Sequence, residues 1–370
     1  MVHSMDNTQS QTTCKPDVKE LYPEELTALL IAQGIPAFRS RQLFDWLHRR
    51  VVTEFPAMDN LPAALRATLA EHYILTTLQA AQEERARDGT TRTLFQLTDG
   101  LSIETVAIPE KERVTVCVST QVGCPFGCVF CVTGQSGFTR NLRAAEIIEQ
   151  VYRMQASLPE GRRVTNVVYM GMGEPLANYD AVLRSVRLLI HPQGLNLAQR
   201  HVTLSTVGNT PGIERLTGEG LQVNLAISLH SPTQEGRLRL LPIANTYALT
   251  GLMTAVRQYV RHTGRKVTFE YTVAPGRNDR EEDAAGLAEL LRGLQAMVNV
   301  IPLNPGATLP RDLQLAPEVL LAAAERFTAL LQRRHVEAAL RRSRGQEVSG
   351  ACGQLRGRRK DEGGRQKAEG

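Results

Sequence analysis

With 370 residues, 42% of them hydrophobic, the chain is long enough to bury a sizeable core and to divide into one large domain and a smaller one. A formal charge of +5 and a pI near 9.0 point to a polyanionic partner such as nucleic acid, or simply to a solvated basic surface. There is no run of about 18 apolar residues, and the polar start "MVHSMDNTQSQTTCKPD" lacks the hydrophobic stretch of a secretion signal. Both argue against membrane insertion and export and predict a cytoplasmic protein with reduced cysteines.

Residues 1–18 are polar and unpatterned, and disorder is expected there. Over 19–74 the apolar spacing is helical, in "PEELTALLIAQG", "RSRQLFDWLHRR" and "PAALRATLAEHY", with Gly34 and Pro56 as breaks. Residues 75–112 turn to short β segments around the turns "DGT" and "TDG". From 113 to 345 six strand-like runs ("VTVCVST", "NVVYMGMG", "HVTLSTVG", "VNLAISLH", "VTFEYTVAP", "VNVIPLNPG") alternate with amphipathic stretches such as "AAEIIEQVYRMQ". This is a βα repeat of six units, predicting an α/β fold whose parallel sheet is open or curled into a partial barrel, with its site along the rim at the strands' C-terminal ends. A short Gly-rich segment, 346–355, precedes a charged tail at 356–370 that is also expected to be disordered.

Three of the chain's six cysteines lie in "CPFGCVFC", as Cys124, Cys128 and Cys131. They follow the first strand of the repeat, in a loop where Gly123, Pro125 and Gly127 let the backbone wrap a bound group. Closed zinc sites take four ligands, commonly paired as C-x2-C. Three thiolates instead suit a 4Fe-4S cluster with one iron left without a protein ligand. A structural metal borrowing a distant Cys or His is the alternative. Of the remaining cysteines, Cys117 in a core strand has the character of a small buried hydrophobe, Cys352 lies between glycines that give it access, and Cys14 has no assigned role.

The C-x3-C-x2-C spacing with Phe130 before the last cysteine resembles the radical S-adenosylmethionine (SAM) superfamily. Wider stretches, "CVSTQVGCPFGCVFCVTGQSGFTRNL", "YMGMGEPLANYD", "LSTVG", "ISLHSP", "FEYTVAPGRND", "VIPLNPG" and "GACGQLRG", resemble the RlmN/Cfr family of RNA adenine methyltransferases from about Leu21 to Leu355. The resemblance implies a partial (β/α)6 radical SAM barrel with a small N-terminal helical RNA-binding domain and a short β extension. It implies one 4Fe-4S cluster on Cys124, Cys128 and Cys131, and two SAM per turnover. Cys352 would carry the methyl group, Cys117 would release the product by forming a disulfide with it, and Glu104 in "LSIETVAIP" would take the ring proton. SAM would contact Gly173 and Glu174 of "GMGEP", Ser205 of "LSTVG", Ser228, Leu229 and His230 of "ISLH", and Asn304 of "PLNPG". The implied partners are 23S rRNA, tRNA and a flavodoxin-type reductant, with the protein a monomer.

Taken singly these residues have plainer readings: Glu104 as an exposed strand residue, and the strand-end polar residues as loop caps. The arginines Arg39, Arg41, Arg49, Arg50, Arg333, Arg334, Arg341, Arg342 and Arg344 suit phosphate contacts or a solvated helix face, whereas Phe44 and Trp46 suit a small core. "GFTRNL" is closer to the RlmN branch, which methylates carbon-2 of adenine, than to the Cfr branch, which methylates carbon-8. A non-catalytic Fe-S-stabilised RNA-binding protein would leave Cys352, "GMGEP" and "ISLH" unexplained. "GQEVSGACGQL" departs from the family pattern ahead of Cys352, as does "LLPIANTYAL" in lacking lysines near Asn245 and Thr246.

Overall fold

The computed structural model describes residues 15–304 and 309–357; Cys14 and most of both expected disordered ends lie outside them. The chain divides into two compact units, 1–77 and 78–370.

In the first unit, α1 (Pro23–Ala32), α2 (Phe38–His48) and α3 (Ala63–His72) are helices. α1 starts at Pro23 because proline at the first helical position loses no hydrogen bond, and Glu25 accepts from the Tyr22 N–H at 2.7 Å. Leu26, Leu30, Leu43, Phe44 and Leu47 are fully buried, so Phe44 belongs to a core, as does Trp46, whose indole N–H donates to Asn60 Oδ1. Ordered chain begins earlier than composition suggested: Val18 is buried and its N–H donates to the Ile74 carbonyl at 3.1 Å.

The second unit is built on a ten-stranded sheet. β1 (Gln79–Arg85), β2 (Thr91–Gln96), β3 (Ser102–Glu110) and β4 (Arg113–Cys117) form an antiparallel meander. A small separate ribbon, β5 (Gln121–Gly123) with β6 (Phe138–Asn141), brackets the cysteine loop and the short α4 (Val132–Gln135). The βα units follow as α5 (Ala144–Ala156), β7 (Asn166–Tyr169), α6 (Tyr179–Ile190), β8 (Val202–Thr206), α7 (Thr210–Thr217), β9 (Asn224–Ser228), α8 (Gln234–Leu240), α9 (Leu249–Thr263), β10 (Val267–Val273), α10 (Glu281–Leu290), β11 (Ala296–Pro302), α11 (Pro317–Arg333) and β12 (Ala338–Leu340). β4, β7, β8, β9, β10, β11 and β12 pair in parallel in that order, and no ladder among the described strands closes β12 onto β4. The result is a partial barrel.

All six expected strands are present, and β12 is a seventh parallel one. Its sequence, "AAL", carries no β-branched signal, and it is specified by the backbone ladder to β11, with Val298 opposite Ala338. Parallel pairing places the C-terminal ends of β4 and β7 to β11 on one edge, so the polar residues that follow each strand converge there.

Candidate active site

At that edge the cysteine loop is fixed by backbone. Gly123 and Gly127 take φ of +75° and +62°, a left-handed conformation that L side chains resist. The Cys124 N–H donates to the Gly137 carbonyl at 3.0 Å, the Val129 N–H to Leu240 of α8 at 3.0 Å, and Cys128 packs against Leu240 and Leu241. A Cβ on Gly134 would lie 2.9 Å from the Cys128 nitrogen, so only glycine lets α4 approach the loop this closely. Cys124, Cys128 and Cys131 together line one cavity at the sheet edge. Burial pushes the Cys124 thiol up to about 12 and Cys128 well above its ordinary value, and each thiolate is further opposed by its neighbours and by Glu174. Among the described residues no three or more Cys, His, Asp or Glu side chains are drawn together as for a single metal ion. A multi-iron core bridging three separated, mutually repelling thiolates fits this donor set, since its positive charge removes the repulsion.

The same cavity is lined by Gly173, Glu174, Ser205, Ser228, His230 and Asn304. Gly173 has φ +98°, and a side chain there would strike Gln121, whose Oε1 accepts the Glu174 N–H at 2.9 Å. The Glu174 carboxylate accepts from the Leu176 and Val207 N–H groups at 3.1 and 3.0 Å, while burial raises it to about 7. His230 sits at φ +57° with its Nδ1 accepting the Thr272 N–H at 2.9 Å, which puts the ring proton on Nε2. Burial, with Arg237 adding to it, lowers His230 to about 3, so the ring is neutral; Phe130 meets it edge-on at 4.7 Å. Leu229 is not brought to the cavity wall: its side chain is fully buried and its N–H donates to the Glu270 carbonyl at 3.0 Å.

Cys352 is the one exposed thiol among the described cysteines. It lines the cluster-loop cavity and also a second cavity, whose wall includes Cys117 at the end of β4. Both are free thiols, and Cys117 is pushed up to about 12 by burial and by the facing Cys352, against a smaller opposing pull from Arg341. The Cys352 segment is docked rather than loose. Asn304 donates to the Cys352 carbonyl at 2.9 Å, the Val132 N–H donates to Gly353 at 2.8 Å, and the Thr133 hydroxyl donates to Leu355.

The family model of the Radical SAM superfamily matches residues 118–288, and that of the ribosomal RNA large subunit methyltransferase N-terminal domain matches 17–75. A probable dual-specificity RNA methyltransferase RlmN of Symbiobacterium thermophilum is 46% identical over 336 residues, 90% of each chain, and that of Moorella thermoacetica 47% over 351 residues, 93% of this chain and 98% of the other. The crystal structure of a radical SAM methyltransferase from Sphaerobacter thermophilus superposes with a TM-score of 0.87 at 45% identity, covering 92% of this chain and 99% of that one. The chain belongs to the RlmN family of radical SAM RNA methyltransferases. Family membership implies a 4Fe-4S cluster and SAM, and the cavity rimmed by the three thiols and the strand ends has the donors for both.

In this RlmN-family protein, two residues differ from their sequence readings and a third had none. Glu104 is buried on β3 rather than exposed, with Oε1 on Arg92 Nη1 at 2.8 Å and Oε2 accepting the Arg356 N–H at 2.9 Å. It lines neither cavity and is joined to the Cys352 segment through Arg356. Arg341, grouped above with phosphate-binding arginines, lines both cavities instead, its guanidinium 3.6 Å from Glu270 Oε2. Glu270 itself was missed; it is a buried acid on β10 that also accepts from Asn299 at 3.0 Å, and the signal was a carboxylate in the middle of an otherwise apolar strand, "VTFEYTV". Among the described residues no helix is long and apolar enough to cross a membrane.

Proposed function

We propose that this enzyme methylates carbon-2 of adenine in 23S rRNA at the peptidyl-transferase centre, and in some tRNAs beside the anticodon, by way of a methyl group held on Cys352. The observation that carries this reading is the position of Cys352 in the wall of both cavities, with the cluster-loop thiols on one side and Cys117 on the other. Carbon-2 of adenine is not nucleophilic and cannot take a methyl cation directly, so the methyl must be delivered in activated form. When bound, the cluster and SAM would supply a 5'-deoxyadenosyl radical by one-electron cleavage.

The protein's residues account for the remaining steps. Cys352, exposed between glycines, would take a methyl group from one SAM, and that S-methyl group would then give up a hydrogen atom to the radical, which leaves as 5'-deoxyadenosine. The carbon radical would add to carbon-2, leaving RNA bonded to Cys352 through a methylene; the adduct would then give up one electron, which the cluster could accept when bound, and its carbon-2 proton to Glu104. Cys117, once deprotonated, then attacks the Cys352 sulfur; the disulfide forms as the carbon–sulfur electron pair passes to the methylene, which takes a proton and leaves as the methyl of the base, and reductant returns the disulfide to two thiols. Burial raises the Glu104 carboxyl above its ordinary value against the pull of Arg92, which suits a proton acceptor; because it lines neither cavity, the proton would reach it by way of the Cys352 segment that it holds at Arg356. Glu174, whose two oxygens are held by backbone N–H groups, and neutral His230 orient SAM. The second cavity is lined by apolar Ile108, Val168 and Leu340 and by Arg113, Arg342 and Arg344, of which Arg113 and Arg344 pair with Glu110, a mix that suits an unstacked base with its phosphates on the arginines. Arg39, Arg41, Arg49 and Arg50 of the helical unit supply further phosphate contacts. A flavodoxin-type protein as reductant and a monomeric cytoplasmic enzyme complete the reading.

Mass spectrometry of the target adenine after anaerobic incubation of the reconstituted protein with large-subunit rRNA, SAM and reductant tests it, with Cys352→Ala and Cys117→Ala alongside. Methyl on carbon-2 is expected from the wild type, none from Cys352→Ala, and a covalent RNA–protein adduct from Cys117→Ala. Methyl on carbon-8 would select the Cfr-type reaction. An unmodified rRNA despite intact SAM cleavage would reject the rRNA assignment.

A further inference from the structure

Arg237 is fully buried on α8 and makes no ion pair with a carboxylate among the described residues. Its guanidinium donates instead to three main-chain carbonyls, Leu229 and Val207 at 2.8 Å each and Ser228 at 3.3 Å, and its Nε is buried without a partner. Carbonyl dipoles do not neutralise a buried cation, and an uncompensated charge in a protein interior is strongly unfavourable. The group stays charged, since even the lowering caused by burial leaves it at about 10. A negative charge nearby must therefore offset it.

The neighbours of Arg237 indicate what that is. One turn further along α8, Leu240 and Leu241 pack on Cys128, and the Leu240 carbonyl accepts the Val129 N–H of the cysteine loop. Val207, whose carbonyl the guanidinium holds, packs against the same Cys128 cluster. Three thiolates outweigh the positive charge of an oxidised cubane core, and reduction adds one more negative charge. We propose that Arg237 is the buried counter-charge of the iron–sulfur cluster held by Cys124, Cys128 and Cys131, and that it sets the cluster's reduction potential by favouring the reduced form. The inference rests on the reading of these cysteines as cluster ligands. A purely structural Arg237, tying the ends of β8 and β9 together, would leave the potential where it is.

The test is an EPR-monitored redox titration, without SAM, of the full-length reconstituted wild type, Arg237→Lys and Arg237→Gln. A more negative midpoint is expected for the Gln variant, and a smaller shift of the same sign for the Lys variant, which keeps the charge but loses the planar fork. A Gln variant with a full cluster and the wild-type midpoint would overturn the proposal, as would equal shifts in both variants. Should the Gln protein fail to fold, the wild type grown with guanidinium-15N arginine decides. An arginine nitrogen coupling to the reduced cluster in ENDOR, lost in Arg237→Lys, is expected, and its absence from the wild type overturns the proposal. A chain that assembles no 4Fe-4S cluster in any form would overturn the ligand assignment and this inference together, whereas a loaded cluster with an unshifted potential overturns this inference alone.

Discussion

Gly123→Ala isolates the geometry on which the cysteine loop depends. Gly123 holds φ +75°, and an added Cβ would run into the Gly137 carbonyl oxygen, which accepts the Cys124 N–H at 3.0 Å. Placing alanine in the left-handed region costs about 1–2 kcal/mol. Displacing the Gly137 carbonyl gives up a hydrogen bond worth about 1 kcal/mol, and the backbone clash adds to that, for a total of about 3 kcal/mol. Gly161→Ala is the internal control, because Gly161 has φ +80° but nothing within 4 Å of its added Cβ, so it carries only the first cost. At about 2 °C per kcal/mol for a domain of this size, the apo-protein should lose about 6 °C of Tm at Gly123 and about 2–4 °C at Gly161. Iron and sulfide per chain after reconstitution should fall for the first variant and not for the second, since only the first moves Cys124. Equal Tm losses, or a full cluster in Gly123→Ala, would refute the reasoning.

Other expectations are as direct. Burial holds His230 at about 3, below the 6.5 of an exposed histidine, so between those values the unfolded chain binds a proton that the folded one does not. Stability should therefore fall as pH drops below 6.5, and urea unfolding at pH 7.5 and 5.5 should show a smaller difference for His230→Gln than for wild type. Glu104→Gln weakens the Arg92 pair and the acceptor of the Arg356 N–H, so hydrogen exchange of the Arg356 amide should quicken roughly tenfold for about 1.4 kcal/mol lost; an unchanged rate would detach Glu104 from the Cys352 segment. In the helical unit Phe44→Ala should cost about 3–5 kcal/mol, read by circular dichroism, whereas exposed Arg41→Ala should leave folding within about 0.5 kcal/mol and flatten the salt dependence of RNA binding.

The core strands were legible in the sequence because apolar runs such as "VNLAISLH" end in polar residues that cannot continue into a buried ladder. β12 was not, because its three residues favour helix as readily as strand and take their conformation from β11. Alternation along β3 suggested that Glu104 faced water. Alternation assigns two faces without saying that either is exposed, and residues Ser102 to Ala107 of this strand are all buried, with Arg356 of the returning C-terminal segment on the Glu104 carboxylate. The resemblance placed the three loop cysteines, Cys117 and Cys352 as chemically important. It did not reveal that Cys352 is shared between two cavities, which follows from how Asn304, Val132 and Thr133 seat its segment. For Arg341, composition counts a positive charge but cannot give its direction; Glu270, buried on β10 two strands away from β12, turns it inward.

The docking of that segment also has a consequence in time. Gly353, whose carbonyl receives the Val132 N–H, is 221 residues downstream of the loop it covers (353 − 132). At roughly 5–20 residues per second, the cysteine loop leaves the ribosome about 10–45 s before the residues that seal it are made. For that interval the three thiols are reachable from a side later occupied by the chain itself. Until then the Val132 N–H and the Thr133 hydroxyl lack the partners that Gly353 and Leu355 later supply.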